Sequence, residues 1–140
     1  MMKSLVKWNH KESKVFHATS GSGHPITMGL SPDHGGHNEG ARPMELLLIG
    51  AAGCMSVDIV SILEKARQVL TDCEVDIQAG RAPTPPQVFT KIHLIITVTG
   101  ENLSEQRVTR AIELSLSKYC SAMAMLSKTA TVSYEYQIKG

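Results

Sequence analysis

The chain has 140 residues, of which 42% are hydrophobic and 19% charged, with a formal net charge of +1; this suits one soluble domain with a core of its own. The near-neutral balance lacks the basic stripe of a phosphate-binding surface, and with 4% aromatic residues there is little for bases to stack on, so a nucleic-acid partner is excluded. The run Met1–His10 has no apolar centre of the kind a secretory signal needs, and Cys54, Cys73 and Cys120 are an odd cysteine count that fits a reducing cytoplasm better than a disulfide framework.

Taken in order, Leu5–Trp8, Lys14–Ala18 and Ile26–Met28 alternate apolar and polar side chains and predict three short strands, with Ser20-Gly21-Ser22-Gly23 as a turn. Residues 31–41 form a glycine-rich loop. Pro43 opens a long helix, as proline does at a first helical position, and Glu45 suits its positive end. The helix is predicted to run to Leu70. Its first half is apolar on every side, which predicts burial all round. Asp58 inside the most apolar stretch, Leu46–Leu63, argues for a buried helix over a membrane span, so no membrane partner is expected. Gly50, Ala51, Ala52 and Gly53 lack bulk, and another element is expected to approach closely there.

Cys73–Ala79 alternates with period two and predicts a strand. A proline-rich connection, Ala82–Pro86, joins it to the strongest strand in the chain, Val88–Thr99, in a hairpin. Ser104 caps a further helix with an apolar stripe of Val108, Ile112 and Leu116. A second helical piece, Cys120–Lys128, and a final strand, Ala130–Ile138, complete the order βββ-α-ββ-α(α)-β, an α+β fold. A helix apolar on all faces is hard to bury in a monomer of this size, which predicts an intimate homodimer.

Cys54 and Cys120 carry the chemistry worth weighing. Two cysteines on apolar helices are often small core residues. They also suit a peroxide-reducing pair, in which one thiolate attacks the O–O bond and the second thiol traps the sulfenic acid as a disulfide. Sixty-six residues apart, they can meet only through tertiary packing. Asp58 follows Cys54 at i+4, where its carboxylate could bond to a loop or a partner chain. His34, His37, Asp33 and Glu39 offer metal-ligand chemistry, but at no standard spacing, and a solvated loop or a lid over the thiol site is the preferred reading.

The segments Pro43-Met44-Glu45-Leu46-Leu47-Leu48, Ala51-Ala52-Gly53-Cys54 and Ser117-Lys118-Tyr119-Cys120 resemble the OsmC/Ohr family of osmotically inducible and organic hydroperoxide resistance proteins. Val57–Lys65 and Phe89-Thr90-Lys91-Ile92 are similar to its YhfA-like branch. The resemblance covers nearly the whole chain in element order and implies an intertwined homodimer, with two sheets wrapped around central helices in a single domain, residues 1–140. It further implies that Cys54 is the peroxidatic thiol and Cys120 the resolving one, that an arginine and a glutamate activate the thiol, and that dihydrolipoyl groups or other dithiols regenerate it without a bound cofactor or metal. Arg42 is the best placed arginine. The family's glutamate directly follows the motif proline, where this chain has Met44; Glu45, one step on, is the alternative. Leu46, Leu47, Ile49, Met55 and Met123 are expected to wall the site and favour an organic hydroperoxide. A binding module or redox sensor for a small apolar or thiol-bearing ligand is the competing reading.

Overall fold

The alternation in the first thirty residues produces three antiparallel strands, β1 (Ser4–Asn9), β2 (Val15–Ser20) and β3 (Pro25–Met28), in the order β1-β2-β3. The structure is a computed structural model, and it describes all 140 residues. The remaining elements are α1 (Pro43–Lys65), β4 (Val69–Arg81), β5 (Phe89–Glu101), α2 (Glu105–Leu114), α3 (Ser121–Leu126) and β6 (Thr131–Lys139). This is the expected α+β order. The chain packs as two compact units, Met1–Leu47 and Leu48–Gly140, divided within α1.

In the first unit the Trp8 indole N–H donates to the Ser13 carbonyl at 2.6 Å, which ties the β1–β2 connection. The sheet leaves Leu5, Val6 and Trp8 exposed. The glycine-rich loop is ordered by its own backbone and short side chains. His34 Nδ1 pairs with Ser31 Oγ at 3.0 Å, and Glu39 accepts from the His37 amide at 2.8 Å. Gly36 is required there, because a Cβ would clash with the Leu30 carbonyl oxygen.

Helix α1 begins as the sequence predicts. Pro43 sits at its first position, and Glu45 Oε1 accepts from the Arg42 amide at 2.7 Å. This is the return half of a capping box, in which the third helical residue satisfies the amide of the capping one. The helix ends at Lys65, five residues before the expected Leu70. Arg67 takes a left-handed conformation, φ 61°. The Gln68 amide bonds to the Leu63 carbonyl and the Arg67 amide to that of Glu64, both at 2.9 Å. These two crossed bonds make a Schellman stop, built on arginine where glycine is usual. Val69 and Leu70 then belong to β4, which pairs with β5 from Val69↔Glu101 onward.

In the second unit β5 is the central strand, antiparallel to β4 and parallel to β6. Ile92, Leu94, Ile96 and Val98, every second residue of β5, are buried, as one face of a pleated strand requires. On α1 the buried residues are Ala51, Met55, Ile59 and Leu63, and on α2 Val108, Ala111 and Ile112. Ser104 caps α2 by accepting from the Arg107 amide, as expected.

One expectation needs correction: α1 is not buried all round within one chain. Only the i, i+4 stripe from Ala51 to Leu63 is sealed, while Leu47, Ile49 and Val57 are exposed. Nothing lies within 4 Å of a Cβ built at Gly50 or Gly53, so no element of the same chain makes the close approach those residues permit. The physical reason is that a single chain covers one flank of a helix that is apolar around its circumference. By length and composition α1 is also apolar enough to cross a membrane.

The stop at Arg67 gives a prediction. A left-handed non-glycine residue costs about 1–2 kcal/mol, and glycine's extra freedom in the unfolded chain returns about 0.5–1 kcal/mol of that. Arg67→Gly is therefore expected to stabilise the protein by about 0.5–1 kcal/mol, read as a rise in the urea unfolding midpoint at unchanged slope.

Candidate functional site

Cys54 stands one residue before Met55, the centre of the buried stripe. One residue turns a helix by about 100°, so Cys54 lies on the flank of the stripe, half-buried. Asp58, four residues on, lies on the same flank. Both therefore border the core without being sealed in it.

Cys120 arrives by a less regular route. After α2 the chain makes one wide π-helical turn, Ser115–Tyr119, closed by the Cys120 amide on the Ser115 carbonyl at 2.8 Å. The extra residue in that turn brings Cys120 into the core, 2% exposed, at the N-cap of α3. There its Sγ accepts from the Met123 amide at 3.4 Å, as a capping side chain does. Burial pushes the Cys120 thiol up from its ordinary 9.0 to about 11; the Met123 amide opposes the shift, and the neighbouring Cys54 adds to it.

These elements bring the two sulfurs together. Cys54 Sγ, Cys120 Sγ and a carboxylate oxygen of Asp58 all lie within 4.8 Å of one another. Asp58 is not left unpaired: Ser115 Oγ donates to its Oδ2 at 2.8 Å. Ser115 is the one buried polar side chain and fixes the carboxylate beside the thiols. Sequence reasoning missed it. The signal was its phase: Ser115 is at i+7 from Val108, on the buried face of α2, where the expected stripe passed through Leu116 instead. An open cavity of about 360 Å³ adjoins at Asp58 and is lined also by Ser61, Ile62, Lys65, Leu114 and Tyr119.

Arg42 and Glu45 have local partners. Arg42 Nη1 donates to the Gly40 carbonyl at 2.8 Å, and Glu45 is engaged by the Arg42 amide. The expected apolar walls are redistributed: Met55 and Met123 are sealed in the core, Leu47 and Ile49 are exposed, and Leu46 is half-buried. Asp33, His34, His37 and Glu39 do not gather; the one cluster of potential metal ligands is the Cys54, Asp58, Cys120 group. Cys73, within β4, is half-buried and is not part of that group; its thiol is pushed up by burial and then by Asp72.

The family model of OsmC-like proteins matches residues 36–135. Protein YhfA of Escherichia coli K12 is 40% identical over 137 residues, 98% of each chain. The chain belongs to the OsmC-like family. Its fold is shared with an OsmC-like protein from Mycoplasma pneumoniae, at a TM-score of 0.82 and 18% identity over 100% of this chain and 98% of that one. It is shared also with the organic hydroperoxide resistance protein OhrB of Bacillus subtilis, at 0.65 and 16% identity over 98% of each. The mixed α+β architecture read from the sequence is thus that of the OsmC-like proteins.

The Ser115–Asp58 bond is open to a direct check. A hydrogen bond to a charged acceptor contributes about 1.5–3 kcal/mol, and water can reach the half-exposed Asp58 once the hydroxyl is gone. Ser115→Ala is expected to lower stability by about 1–2 kcal/mol in urea unfolding. A double-mutant cycle with Asp58→Ala should return a coupling of about 1 kcal/mol.

Proposed function

We propose that this OsmC-like protein is a thiol-dependent reductase of organic hydroperoxides. The observation that carries the reading is the approach of Cys54 and Cys120, 66 residues apart in sequence, to within 4.8 Å. Family membership and the likeness to OhrB support the same chemistry.

The two thiols differ in a way that supports distinct roles. Cys54 is half-exposed on the flank of α1 and attacks; Cys120 is buried, holds its proton and resolves. The Cys54 thiolate forms an S–O bond as the peroxide O–O bond breaks, and the departing alkoxide takes a proton to become the alcohol. The resulting sulfenic acid accepts the Cys120 sulfur in an S–S bond, and its oxygen leaves with the Cys120 proton as water. An external dithiol, such as a dihydrolipoyl group, reduces the disulfide and is itself oxidised to a disulfide. The three free cysteines fit this cycle and a cytoplasmic setting.

We infer a homodimer, a reading supported by the exposed apolar residues Leu47, Ile49 and Val57 on α1. A second copy would cover the exposed face of α1 and the open N-terminal sheet. In that arrangement Arg42, as the activating cation, and Glu45, as the orienting carboxylate, act on the partner's thiol.

Two experiments test the reading. With cumene hydroperoxide and a dithiol, the protein should consume peroxide, and Cys54→Ser should abolish consumption. Cys120→Ser should give about one turnover and then a Cys54 sulfinic acid, seen by mass spectrometry as two added oxygens. If all three thiols of the wild type survive peroxide unchanged, the peroxidase reading is withdrawn in favour of a ligand-binding module. For the dimer the probe is Gly53→Leu, at a position where an added Cβ has no neighbour of its own chain within 4 Å. It should leave the far-ultraviolet circular dichroism of the fold intact while shifting sedimentation from dimer to monomer.

A further inference from the structure

The Cys54, Asp58 and Cys120 group has the composition of a metal site as well as that of a redox pair. Its three ligand atoms lie within 4.8 Å of one another. Zinc bonds to sulfur at about 2.3 Å and to carboxylate oxygen at about 2.0–2.2 Å, so a tetrahedral ion holds its donors about 3.5–3.8 Å apart. A closing of about 1 Å is enough, and Cys54 and Asp58 are both half-buried side chains on one helical flank, Asp58 bordering an open cavity.

The donors also select the ion. Two thiolates and one carboxylate suit a borderline-soft cation of tetrahedral habit; magnesium and calcium take oxygen alone. The carboxylate already has the outer support that ligands in metal sites use. Ser115 Oγ donates to Oδ2 and leaves Oδ1 for the ion, and the Met123 amide donates to Cys120 Sγ. We propose that the reduced protein binds one zinc ion per chain through Cys54, Asp58 and Cys120, with a fourth position left open.

Two thiols, the Asp58 carboxylate and Zn²⁺ give a complex of charge −1 and two released protons, so charge and atoms balance. A disulfide between the two sulfurs removes two of the three ligands. Zinc occupancy and disulfide formation are therefore mutually exclusive, and oxidation of the pair releases the ion. This inference stands on the cluster and does not depend on the peroxidase reading.

The test is an anaerobic titration of the reduced full-length protein with zinc against a chromophoric chelator. One ion per chain is expected, and cobalt in its place should give thiolate-to-metal charge-transfer absorption. Cys54→Ser should lose both signals. Asp58→Asn keeps an oxygen for the Ser115 hydroxyl and should still titrate as three thiols, yet bind zinc at least about tenfold more weakly, since even outer-shell losses cost 10–100-fold. Circular dichroism of both variants confirms the fold. Wild-type binding no tighter than that of Cys54→Ser overturns the site, as does Asp58→Asn binding equal to wild type. Peroxide consumption by the zinc-free protein is measured alongside. Consumption without zinc binding overturns this inference alone, and zinc binding without consumption overturns the peroxidase reading alone.

Discussion

The arrangement of the site depends on the burial of one narrow stripe of α1. Ala51, Met55, Ile59 and Leu63 are fully sealed, and the core that β5, α2 and Cys120 complete is built against them. Fixing Met55 at the centre of that stripe fixes its neighbours by helix geometry alone. Cys54 falls about 100° to one side, close enough to the core to meet Cys120 and far enough round to be reached. Were the register of the helix shifted by one residue, Cys54 would be a sealed packing residue and its sulfur inert. The same register carries Asp58 to the rim, half-buried, where Ser115 donates to its carboxylate.

Cys120 depends on a local irregularity. A regular continuation of α2 past Ser115 would place residue 120 a full 100° away from the phase it has after the π-turn. The wide turn leaves Tyr119 exposed, seals Cys120 and aims Ser115 at Asp58. Single π-turns of this kind are concentrated at functional sites. Here the turn does two things at once, delivering a sulfur and delivering the hydroxyl that holds the carboxylate beside it.

Much of this was legible in the sequence. Strand alternation, Pro43 with Glu45 at a helix start, Ser104 at another, and the proline-rich hairpin each express a local rule, and each element formed within a few residues of its expected bounds, with β4 longer at both ends. What was not legible lies where a local rule is silent or is overruled. Glu64-Lys65-Ala66-Arg67-Gln68 is a run of good helix formers with no glycine, so no residue type there announces the stop that Arg67 makes before Val69 and Leu70 pair with β5. The first half of α1 is apolar on all sides, so periodicity cannot say which stripe one chain buries. Ser115 occupies a core position with a polar side chain, and only its partner, 57 residues earlier in the sequence, explains it. The meeting of Cys54 and Cys120 is likewise a tertiary fact: the resemblance implied the pair, and spacing did not.

The difference between the two sulfurs gives the site its directionality. A buried thiol that keeps its proton to about pH 11 is a poor first nucleophile at neutral pH, because the thiolate is the reactive form. The same burial suits it to wait. In the proposed cycle it stays reduced while the half-buried Cys54 sulfur is oxidised, and it then captures the sulfenic acid before a second peroxide does. A metal ion would invert that order by drawing the proton from both sulfurs at once. The geometry behind the proposed disulfide is thus the geometry behind the proposed thiolate–carboxylate metal site, and under both proposals the oxidation state of one pair of atoms decides which chemistry the site supports.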